Sequence, residues 1–325
     1  MISIGIVGYG NIGRGAIKAV ARNEDMTLAG IFTRRPEAVR KQAGTVPVFD
    51  NPAAFRPDLQ KKIDVMILCG GSKEDIPKDG PQFAEHFNTV DSFDTHANIP
   101  AYFAKMDAIA KASKHVCVVS AGWDPGIFSL ERMLGDAFLP GSKQYTFWGR
   151  GVSQGHSDAV RQIKGVLDAR QYTIPIQGAI ERVRAGEKPD FTSRDMHERL
   201  VYAVAEPGAD KDRIRQEIVS MPNYFAPYNT TVVFISQDEM RRDHAAYPHG
   251  GFVLTSGGTS AGKHVLEYRC QLDSNPEFTG SVLVACARAA CRLKKQRKSG
   301  AFTMMDFPLG LLSPRPNEEL LGKLT

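Results

Sequence analysis

The sequence predicts an α/β fold with a doubly wound parallel sheet, followed by a second α+β domain. Three observations support this prediction: short apolar runs alternate with helical periodicity up to Gly122, a glycine-rich turn follows the first run, and longer alternating segments begin after Gly122. Strand, helix and strand repeated in this way are typical of a parallel sheet that helices cover on both faces. Ligands of such sheets bind outside the carboxyl ends of the strands.

Five short apolar runs are the predicted strands of the first domain. They are Ile4 to Val7, Leu28 to Phe32, Val65 to Cys69, Thr89 to Asp91 and Val116 to Val119. Short apolar runs of this kind are typical of buried parallel strands. Among the segments that separate them, Asn11 to Ala21 and Pro100 to Ala112 have the clearest helical periodicity.

The second domain has a different hydrophobic pattern, with longer alternating segments. Its predicted strands are Leu167 to Ile176, Thr230 to Ser236, Phe252 to Thr255 and Lys263 to Leu272. They predict a mostly antiparallel sheet with helices on one side. The amphipathic helix predicted from Pro276 to Lys295, with cations at its C-terminal end, is expected to return to the first domain. We therefore expect residues 1–122 and 274–325 to form the first domain and residues 123–273 the second.

Composition and charge exclude several classes of protein. The 325 residues are 42% hydrophobic and 24% charged, which is typical of a globular protein. A net charge of +5 makes nucleic acid an unfavourable partner, and the basic run from Lys294 to Lys298 is expected to end a solvated helix. The N-terminal residues show neither a basic n-region nor a cleavable apolar stretch, and no run of about 18 apolar residues occurs, so we expect a cytoplasmic location and no membrane partner. The five cysteines lack metal-site spacing, which predicts buried free thiols and no metal.

The segment IGIVGYGNIGRGAI places Gly8, Gly10 and Gly13 in a GxGxxG pattern, after a predicted strand and at the start of a predicted helix. In a dinucleotide site the first glycine makes the tight turn, the second lets the pyrophosphate approach the backbone, and the third lets the helix pack on the strand. This context predicts a Rossmann-type nucleotide site. The residues between the glycines are further candidate cofactor contacts, namely Tyr9, Asn11 and Ile12.

The end of the second predicted strand carries Thr33, Arg34 and Arg35 in the stretch IFTRRP. This position lies about 20 residues after the glycine motif, where an NAD-specific site places an Asp or Glu on the ribose hydroxyls. Two guanidinium groups and a hydroxyl, with no acid beside them in the sequence, suit the 2′-phosphate of NADP instead. The alternative is a solvated arginine pair on a surface loop. We predict NADP(H) as the cofactor.

The ends of the later strands supply further candidates. In LCGGS and VDSFDTH the candidate cofactor contacts are Cys69, Gly70, Gly71, Ser72, Asp91, Ser92 and Phe93. Asp94 follows directly, and Trp123 and Asp124 follow the fifth strand. Asp94 and Asp124 are the candidate catalytic residues, because two strand-end carboxylates could hold a cationic amine or share general-base work. Asp124 could also cap a helix that begins at Pro125.

Several motifs resemble those of the meso-diaminopimelate D-dehydrogenase family over nearly the whole chain. They are GYGNIG with TRR, VDSFDTH, SAGWDPG, TFWGRGVSQGHSDA, the segment around MPNYF, PHGG, LDSNPEFT and SGAFT, in this order. GWDPG and WGxGxSQGHSDA are more specific to that family than the glycine motif. The resemblance implies oxidation of the D-centre of meso-2,6-diaminopimelate with NADP, giving L-2-amino-6-oxopimelate and ammonia. The reverse reaction would supply lysine and cell-wall biosynthesis.

The resemblance also implies substrate contacts and an assembly. The residues implied near the D-centre are Asp94 and Asp124 at its amine and Trp123, Gln154 and Gly155 near its carboxylate. Those implied at the distal L-centre are Thr173, Arg199, His249 and Asn275, and Trp148 is implied as a wall of the pocket. Family members are homodimers joined through the second domain, which implies the same assembly for this chain.

Each implied substrate contact has an ordinary structural alternative. Arg199 lies in RDMHERL, a predicted helix, where an arginine is more often solvated than bound to a ligand. Thr173 and Trp148 suit strand packing, and Asn275 before Pro276 suits a helix cap. His249, between a proline and two glycines, is not where a core histidine is expected.

Two other functions compete with the dehydrogenase. A phosphorylating semialdehyde dehydrogenase would need a nucleophilic cysteine, whereas Cys69 and Cys117 lie within or at the end of predicted buried strands. A catalytically inactive NADP-sensing regulator would not need the combination of Asp94, Asp124, Arg199 and His249. Turnover distinguishes the enzyme from the regulator.

Overall fold

The computed structural model describes residues 1–259 and 262–324. The chain divides into two compact units: unit 1 comprises Met1–Leu130 and the chain from Pro276 onward, and unit 2 comprises Glu131–Asn275. The sequence predicts residues 123–130 in the second domain and residues 274 and 275 in the first, whereas the structure groups 123–130 with unit 1 and 274 and 275 with unit 2. The reason is local, because the Gly122 and Trp123 carbonyls accept hydrogen bonds from the backbone N–H groups of Ile127 and Phe128.

Unit 1 is built on one seven-stranded sheet in which every strand pair is parallel. Its strands are β1 Ile2–Val7, β2 Met26–Phe32, β3 Val48–Phe49, β4 Val65–Leu68, β5 Asn88–Asp91, β6 Val116–Val118 and, late in the chain, β14 Gly300–Phe302. Their order is β14-β6-β5-β4-β1-β2-β3, which confirms the predicted Rossmann-type sheet. Strands β3 and β14 were not predicted, because each has only two apolar side chains, which are too few to show a hydrophobic run.

The α-helices of unit 1 lie between and after these strands in the chain. They are α1 Asn11–Val20, α2 Pro36–Arg40, α3 Pro57–Gln60, α4 Asp75–Ala84, α5 Ile99–Ser113 and α13 Asn317–Leu324, with α6 Ile127–Phe138 and α12 Asn275–Lys295 each crossing a limit of the unit. Within unit 1, α12 packs very closely on α1, since a Cβ at Gly15 would lie only 2.8 Å from the Cα of Glu277. The predicted helix from Pro276 to Lys295 is therefore present, and it helps to cover the helix that follows the glycine turn.

Unit 2 contains the following elements: β7 Lys143–Trp148, β8 Gly151–Ser153, α7 Gln154–Arg161, β9 Val166–Pro175, α8 Gln177–Arg184, α9 Ser193–Met196, β10 His197–Ala205, α10 Lys211–Ser220, β11 Asn229–Phe234, α11 Gln237–Asp243, β12 His249–Gly258 and β13 Lys263–Leu272. The predicted helix around Arg199 is wrong. Residues from His197 onward form strand β10, because alternate side chains at 197, 199, 201 and 203 are buried and the strand pairs with β9 along its length.

The strands of unit 2 form two sheets rather than the single sheet that we expected. One has the order β11-β10-β9-β8, with only the β10–β11 pair parallel, and the other has the antiparallel order β13-β12-β7. Only Gly149 and Arg150 separate β7 from β8, yet the two strands belong to different sheets. Gly149 has a φ of 108°, which residues with a side chain rarely adopt, and this turn redirects the chain.

Two further expectations concern cysteines and membranes. All five cysteines are buried and free, as predicted. Within the described part of the chain, no helix combines the length and apolar character that crossing a membrane requires.

Candidate active site

The glycine turn at the end of β1 has the geometry of a nucleotide-binding loop. Gly8 has a φ of 98°, and its N–H donates to the Phe32 carbonyl at 2.8 Å, which joins the turn to β2. A Cβ at Gly13 would overlap the Gly8 carbonyl, so only glycine lets α1 start this close to the strand. Gly10 precedes α1 and no side chain caps the helix, which leaves the first backbone N–H groups available to an anion.

A cleft of about 660 Å³, including space open to solvent, lies beside this turn. The predicted residues that line it are Gly8, Tyr9, Gly10, Thr33, Arg34, Arg35, Cys69, Gly70 and Gly71. We call it the nucleotide cleft. Thr33 is buried and its Oγ1 accepts the Arg35 N–H at 3.3 Å, whereas the Arg34 side chain is 76% exposed. The loop thus presents two cations at the end of β2, where the sequence predicts the 2′-phosphate.

The structure also brings three unpredicted polar residues to the nucleotide cleft, namely Asn51, Asp75 and Asp79. Asp75 Oδ1 lies 3.1 Å from Arg34 Nη1, and Asp75 Oδ2 accepts the Gly71 N–H at 2.9 Å. An acid therefore does accompany Arg34, although it is absent from the neighbouring sequence. Burial, and secondarily the charge of Asp75, raises the pKa of Asp79. Local sequence patterns carry no signal for Asp75, because it lies 41 residues from Arg34.

The side chains of Asp91 and Phe93, two predicted cofactor contacts, point into the core of unit 1. Asp91 accepts three hydrogen bonds inside the fold, and the Phe93 ring packs on Tyr102 with a centroid distance of 4.4 Å. These contacts leave neither side chain free to bind a ligand. Their prediction as ligands relied only on their place at a strand end, which does not indicate the direction of a side chain.

The two thiols considered as nucleophiles are unsuited to that role. Burial raises the pKa of Cys69 and of Cys117 to about 12, so both remain protonated thiols at neutral pH. A nucleophilic cysteine needs the opposite shift. The structure therefore disfavours a semialdehyde dehydrogenase built on either residue.

The candidate catalytic carboxylates lie on loops that follow two neighbouring strands, β5 and β6. Asp94 is exposed, and its backbone N–H donates to Ser72 Oγ at 2.7 Å. Asp124 is half-buried in the turn from Trp123 to Gly126, which a β-bridge closes. The sequence suggests a helix that begins at Pro125, whereas the helix after this turn begins at Ile127. The Trp123 ring is buried edge-on against Phe128 at 5.1 Å.

In unit 2 four residues form a row across the strands. Thr173 on β9 lies opposite Gly151 on β8 and opposite Arg199 on β10. His249, at the start of β12, lies against Gly151 so closely that a Cβ there would stand 2.6 Å from His249 Nδ1. We call Gly151, Thr173, Arg199 and His249 the Arg199 cluster. The register of β8, β9 and β10, together with the close approach of His249 to Gly151, brings together three residues that the family resemblance assigned to one substrate centre.

Arg199 is buried, with only 6% exposed, and its partners carry no negative charge. Its Nη1 donates to Thr173 Oγ1, and its guanidinium carbon lies 4.0 Å from the centroid of the Tyr228 ring. Nε is buried without a hydrogen-bond partner, and no carboxylate among the described residues forms an ion pair with this side chain. Burial lowers the pKa of Arg199. A buried cation in these surroundings is suited to an anionic ligand.

Two histidines near Arg199 were not predicted as part of a site. Burial, and secondarily the charge of Arg199, lowers the pKa of His156 and of His197 to about 4, so both are neutral at neutral pH. His197 Nε2 accepts the Trp148 N–H at 2.9 Å, and the two rings stack at 5.3 Å. His197 therefore orients Trp148. His197 lies in the segment that was mistaken for a helix, which is why its role was missed.

The remaining predicted substrate contacts lie at the ends of elements. Gln154 and Gly155 open α7, where no side chain caps the first N–H groups and a Cβ at Gly155 would meet nothing within 4 Å. Asn275 opens α12, and its N–H donates to the Tyr247 carbonyl at 3.0 Å. His249 Nδ1 accepts the Gly250 N–H at 2.8 Å. Helix starts of this kind favour carboxylate groups.

Comparisons with known proteins agree on one family. Residues 122–274 match the family described as diaminopimelic acid dehydrogenase C-terminal domain. A meso-diaminopimelate D-dehydrogenase of Lysinibacillus sphaericus is 54% identical over 326 residues, which covers 99% of this chain and 99% of that protein.

Three solved structures share the fold over nearly the whole chain. The Corynebacterium glutamicum DAP dehydrogenase in complex with DAP is 43% identical, with a TM-score of 0.93 and coverage of 99% and 98% of the two chains. An engineered D-amino acid dehydrogenase bound to NADP+ is 42% identical, with a TM-score of 0.88 and coverage of 99% of each chain.

The third structure is a mutant meso-dapdh of Clostridium tetani E88 with DAP, 48% identical, with a TM-score of 0.94 and full coverage of both chains. Five of its substituted positions have the same native residue and number as this chain: Gln154, Thr173, Arg199, Pro248 and His249. The extent and level of these identities establish that the chain belongs to the meso-diaminopimelate D-dehydrogenase family.

Proposed function

We propose that this protein oxidises the D-configured amino acid centre of meso-2,6-diaminopimelate with NADP, releasing ammonia and L-2-amino-6-oxopimelate, and that it catalyses the reverse reductive amination. The observation that carries this proposal is the Arg199 cluster, a buried cation with neutral partners in a member of this family. A substrate carboxylate would complete it. The nicotinamide of NADP supplies the hydride acceptor, and the chain positions the reacting groups around it.

The residues of the nucleotide cleft fit NADP. A pyrophosphate needs a helix that starts close to the strand with its first N–H groups available. Gly13, where a Cβ would overlap the Gly8 carbonyl, provides the close approach, and the uncapped start of α1 provides the N–H groups. Arg34 and Arg35, at the end of β2, would bind the 2′-phosphate, because guanidinium groups pair with phosphate through parallel hydrogen bonds. Asn11, Ile12, Ser72 and Ser92 remain predicted contacts of the same cofactor.

Asp94 and Asp124 would act at the amine of the D-centre. Hydride can leave the carbon only when the neighbouring amine is neutral, so a base must first accept a proton from the ammonium group. A carboxylate that follows β5 or β6 is suited to this step, directly or through water. The two carboxylates would also attract the cationic amine to the end of the strands where the cofactor binds.

The substrate carboxylates would bind in two places. Near the D-centre the proposed contacts are Trp123, Gln154 and Gly155, the last two at the uncapped start of α7. At the distal L-centre the proposed contacts are Thr173, Arg199, His249 and Asn275, and Trp148, held by His197, would be a wall of the pocket.

This arrangement predicts selectivity for substrates with two amino acid centres. A simple D-amino acid lacks the distal carboxylate, so it would leave Arg199 buried without a counter-ion and cost the full penalty of an unpaired group. The penalty arises whenever the ligand lacks this carboxylate, whatever the fit at the reacting end. A bifunctional substrate avoids it.

We further propose a homodimer that forms through unit 2 and a cytoplasmic location. Support for the dimer comes from a groove lined by Leu134, Phe138, Val253 and Leu266, in which Phe138 and Leu266 are exposed apolar side chains. Light scattering would give twice the monomer mass of 35.7 kDa for a dimer. Cell fractionation would test the location.

The experiment that tests the function is absorbance at the reduced-nicotinamide band. Purified protein is mixed with NADP or NAD and, separately, with the meso, LL and DD isomers of diaminopimelate. We expect NADP reduction only with isomers that contain a D-centre, and the highest rate with the meso isomer. Tight NADP binding without turnover of any isomer would overturn the proposal and leave an NADP-sensing regulator or another NADP enzyme on this fold.

A further inference from the structure

Asp91 is the last residue of β5, and its carboxylate is completely buried. Oδ1 accepts hydrogen bonds from the backbone N–H groups of Phe93 and Ser120, each at 3.0 Å. Oδ2 accepts a hydrogen bond from the Tyr102 hydroxyl at 2.9 Å. Because buried donors have no water as an alternative partner, this carboxylate holds all three of them in place.

The backbone of Asp91 makes a fourth hydrogen bond, the second to the segment that follows β6. Its carbonyl accepts the Ala121 N–H at 2.8 Å. Ser120 has a φ of 55°, in the left-handed region that residues with a side chain rarely adopt. Such a conformation persists only where its surroundings impose it, and Asp91 binds the N–H groups of both Ser120 and Ala121. Asp91 therefore directs the chain as it leaves β6.

The Tyr102 hydroxyl reaches Asp91 from α5 through a crowded space. A Cβ at Gly80 on α4 would overlap the hydroxyl oxygen, so the small residue there makes room for this hydrogen bond. Burial raises the pKa of Asp91 to about 6, while its three hydrogen bonds act in the opposite direction. The carboxylate is therefore ionised at neutral pH, and its hydrogen bonds are of the stronger, charge-assisted kind.

We propose that Asp91 is a positioning residue of the reaction, because its buried carboxylate joins the two loops that carry Asp94 and Asp124. Asp94 follows Phe93, whose N–H Asp91 binds, and Ser72 supports the same loop through the Asp94 N–H. Asp124 lies four residues beyond Ser120. The inference rests on the proposed function, since the catalytic roles of Asp94 and Asp124 are themselves proposed.

Asn88, the first residue of β5, provides a matched control at the opposite end of the same strands. Its side chain is also buried, its Oδ1 accepts the Val116 N–H at 2.9 Å, and its Nδ2 donates to the Asp64 carbonyl at 2.8 Å. Asn88 thus links β5 to its neighbours as Asp91 does, but away from the candidate catalytic residues. A purely structural role for Asp91 predicts similar behaviour of the two positions.

The test compares Asp91→Ala and Asp91→Asn with Asn88→Ala in the full chain. The measurements are kcat and KM for meso-diaminopimelate, the dissociation constant of NADP, and thermal unfolding. We expect Asp91→Ala to lower kcat at least about 10-fold, and Asp91→Asn to recover part of it because an amide oxygen still accepts the two backbone N–H groups. Asn88→Ala should lower the unfolding temperature while kcat stays within about 2-fold of wild type.

A variant that fails to fold does not block the test. If Asp91→Ala is insoluble, Asp91→Asn and Tyr102→Phe replace it, and each should lower kcat at least about 3-fold with little change in NADP affinity. Equal kcat values for Asp91→Asn and Asn88→Ala, while Asp94→Asn and Asp124→Asn are inactive, would overturn the positioning role alone. Wild-type turnover in Asp94→Asn and Asp124→Asn would instead remove the proposed catalytic roles, and this inference with them.

Discussion

The molecule has two sets of cations assigned to ligands, and they differ in burial and in their partners. Arg34 in the nucleotide cleft is 76% exposed and lies 3.1 Å from the Asp75 carboxylate. Arg199 is 6% exposed, and its partners are a neutral hydroxyl and an aromatic ring. The first cation has water and an acid in the absence of a ligand. The second has little exposure to water and no acid within ion-pair distance among the described residues.

This difference indicates how much each cation contributes to binding. Exposed ion pairs are screened by water and salt and contribute about 0 to 1 kcal/mol each. A buried cation without a counter-ion costs several kcal/mol in the unliganded protein, and an anion that binds there recovers that cost. The nucleotide cleft is therefore expected to select its cofactor by several modest contacts, and the Arg199 cluster to select its substrate by one strong contact.

The largest expected effect is that of Arg199→Met. Removing the cation should lower kcat/KM for meso-diaminopimelate at least about 30-fold, because a desolvated charge pair is worth about 2 to 5 kcal/mol. The unliganded variant should be as stable as wild type or more so, since a methionine of similar volume removes an unpaired buried charge. Steady-state kinetics and denaturant unfolding measure the two effects.

The control for this variant is Arg288→Met, which removes a buried arginine that does have a counter-ion. Arg288 is 2% exposed, but its Nε and Nη2 pair with Asp25 at 2.6 and 2.7 Å. Replacing it should destabilise the fold by about 3 kcal/mol and leave KM for both substrates unchanged. If Arg199→Met lost as much stability as Arg288→Met, Arg199 would be a structural residue. The claim that Arg199 is destabilising without a ligand would then be wrong.

A smaller effect is expected in the nucleotide cleft. Arg34→Gln and Arg35→Gln should each raise KM for NADP about 5-fold, because each removes an exposed charge-assisted contact worth about 1 kcal/mol. KM for NAD should stay nearly constant, since NAD has no 2′-phosphate. Asp75→Asn is the opposing variant: it keeps an acceptor for the Gly71 N–H but releases Arg34 from its acid, so KM for NADP should fall.

Raising the salt concentration distinguishes the two sites further. KM for NADP should rise with ionic strength more steeply than KM for meso-diaminopimelate, because exposed charges are screened and buried ones much less so. Equal salt dependence would contradict the assignment of the exposed arginines to the phosphate. The kinetic assay described above measures both constants.

The smallest effect concerns the neutral histidines near Arg199. Their pKa is lowered from 6.5 to about 4, so the unfolded chain binds more protons than the folded one between these values. Above pH 6.5 neither histidine affects the free energy of unfolding. As pH falls from 6.5 towards 4, each histidine lowers the free energy of unfolding, by about 1 kcal/mol at pH 5.5. Unfolding free energies measured from pH 7.5 to 5.5 give this slope.

The variant His197→Gln isolates one of these histidines. Glutamine keeps an acceptor for the Trp148 N–H but does not titrate, so the variant should lose less stability on acidification than wild type. Comparing the variant with wild type is necessary because acidification also acts through Asp91. The pKa of Asp91 is raised to about 6, so this residue stabilises the folded protein as pH falls over part of the same range. Identical slopes for wild type and variant would show that His197 is not held neutral by its surroundings.

Local patterns were sufficient where a residue's role depends on its own neighbours. The glycine turn and the arginine pair followed from spacing, because the backbone of a nucleotide loop requires particular residues at particular positions, and strands β1, β2, β4, β5 and β6 followed from their apolar runs. The predicted helix RDMHERL is wrong from His197 onward: residues 194–196 do lie in helix α9, but pairing with β9 makes His197 and the residues after it a strand. That error hid His197 and the register that places Arg199 opposite Thr173.

The sequence by itself determined the class of fold, the cofactor and, through its resemblance to a family, the identities of the candidate site residues. Only the tertiary structure decided which charges have partners: Asp75 beside Arg34 across 41 residues, three donors around Asp91, and neutral groups around Arg199. The physical reason is that a charge is stabilised or exposed by atoms that folding brings near it. These atoms come from distant parts of the chain, so no local pattern specifies them.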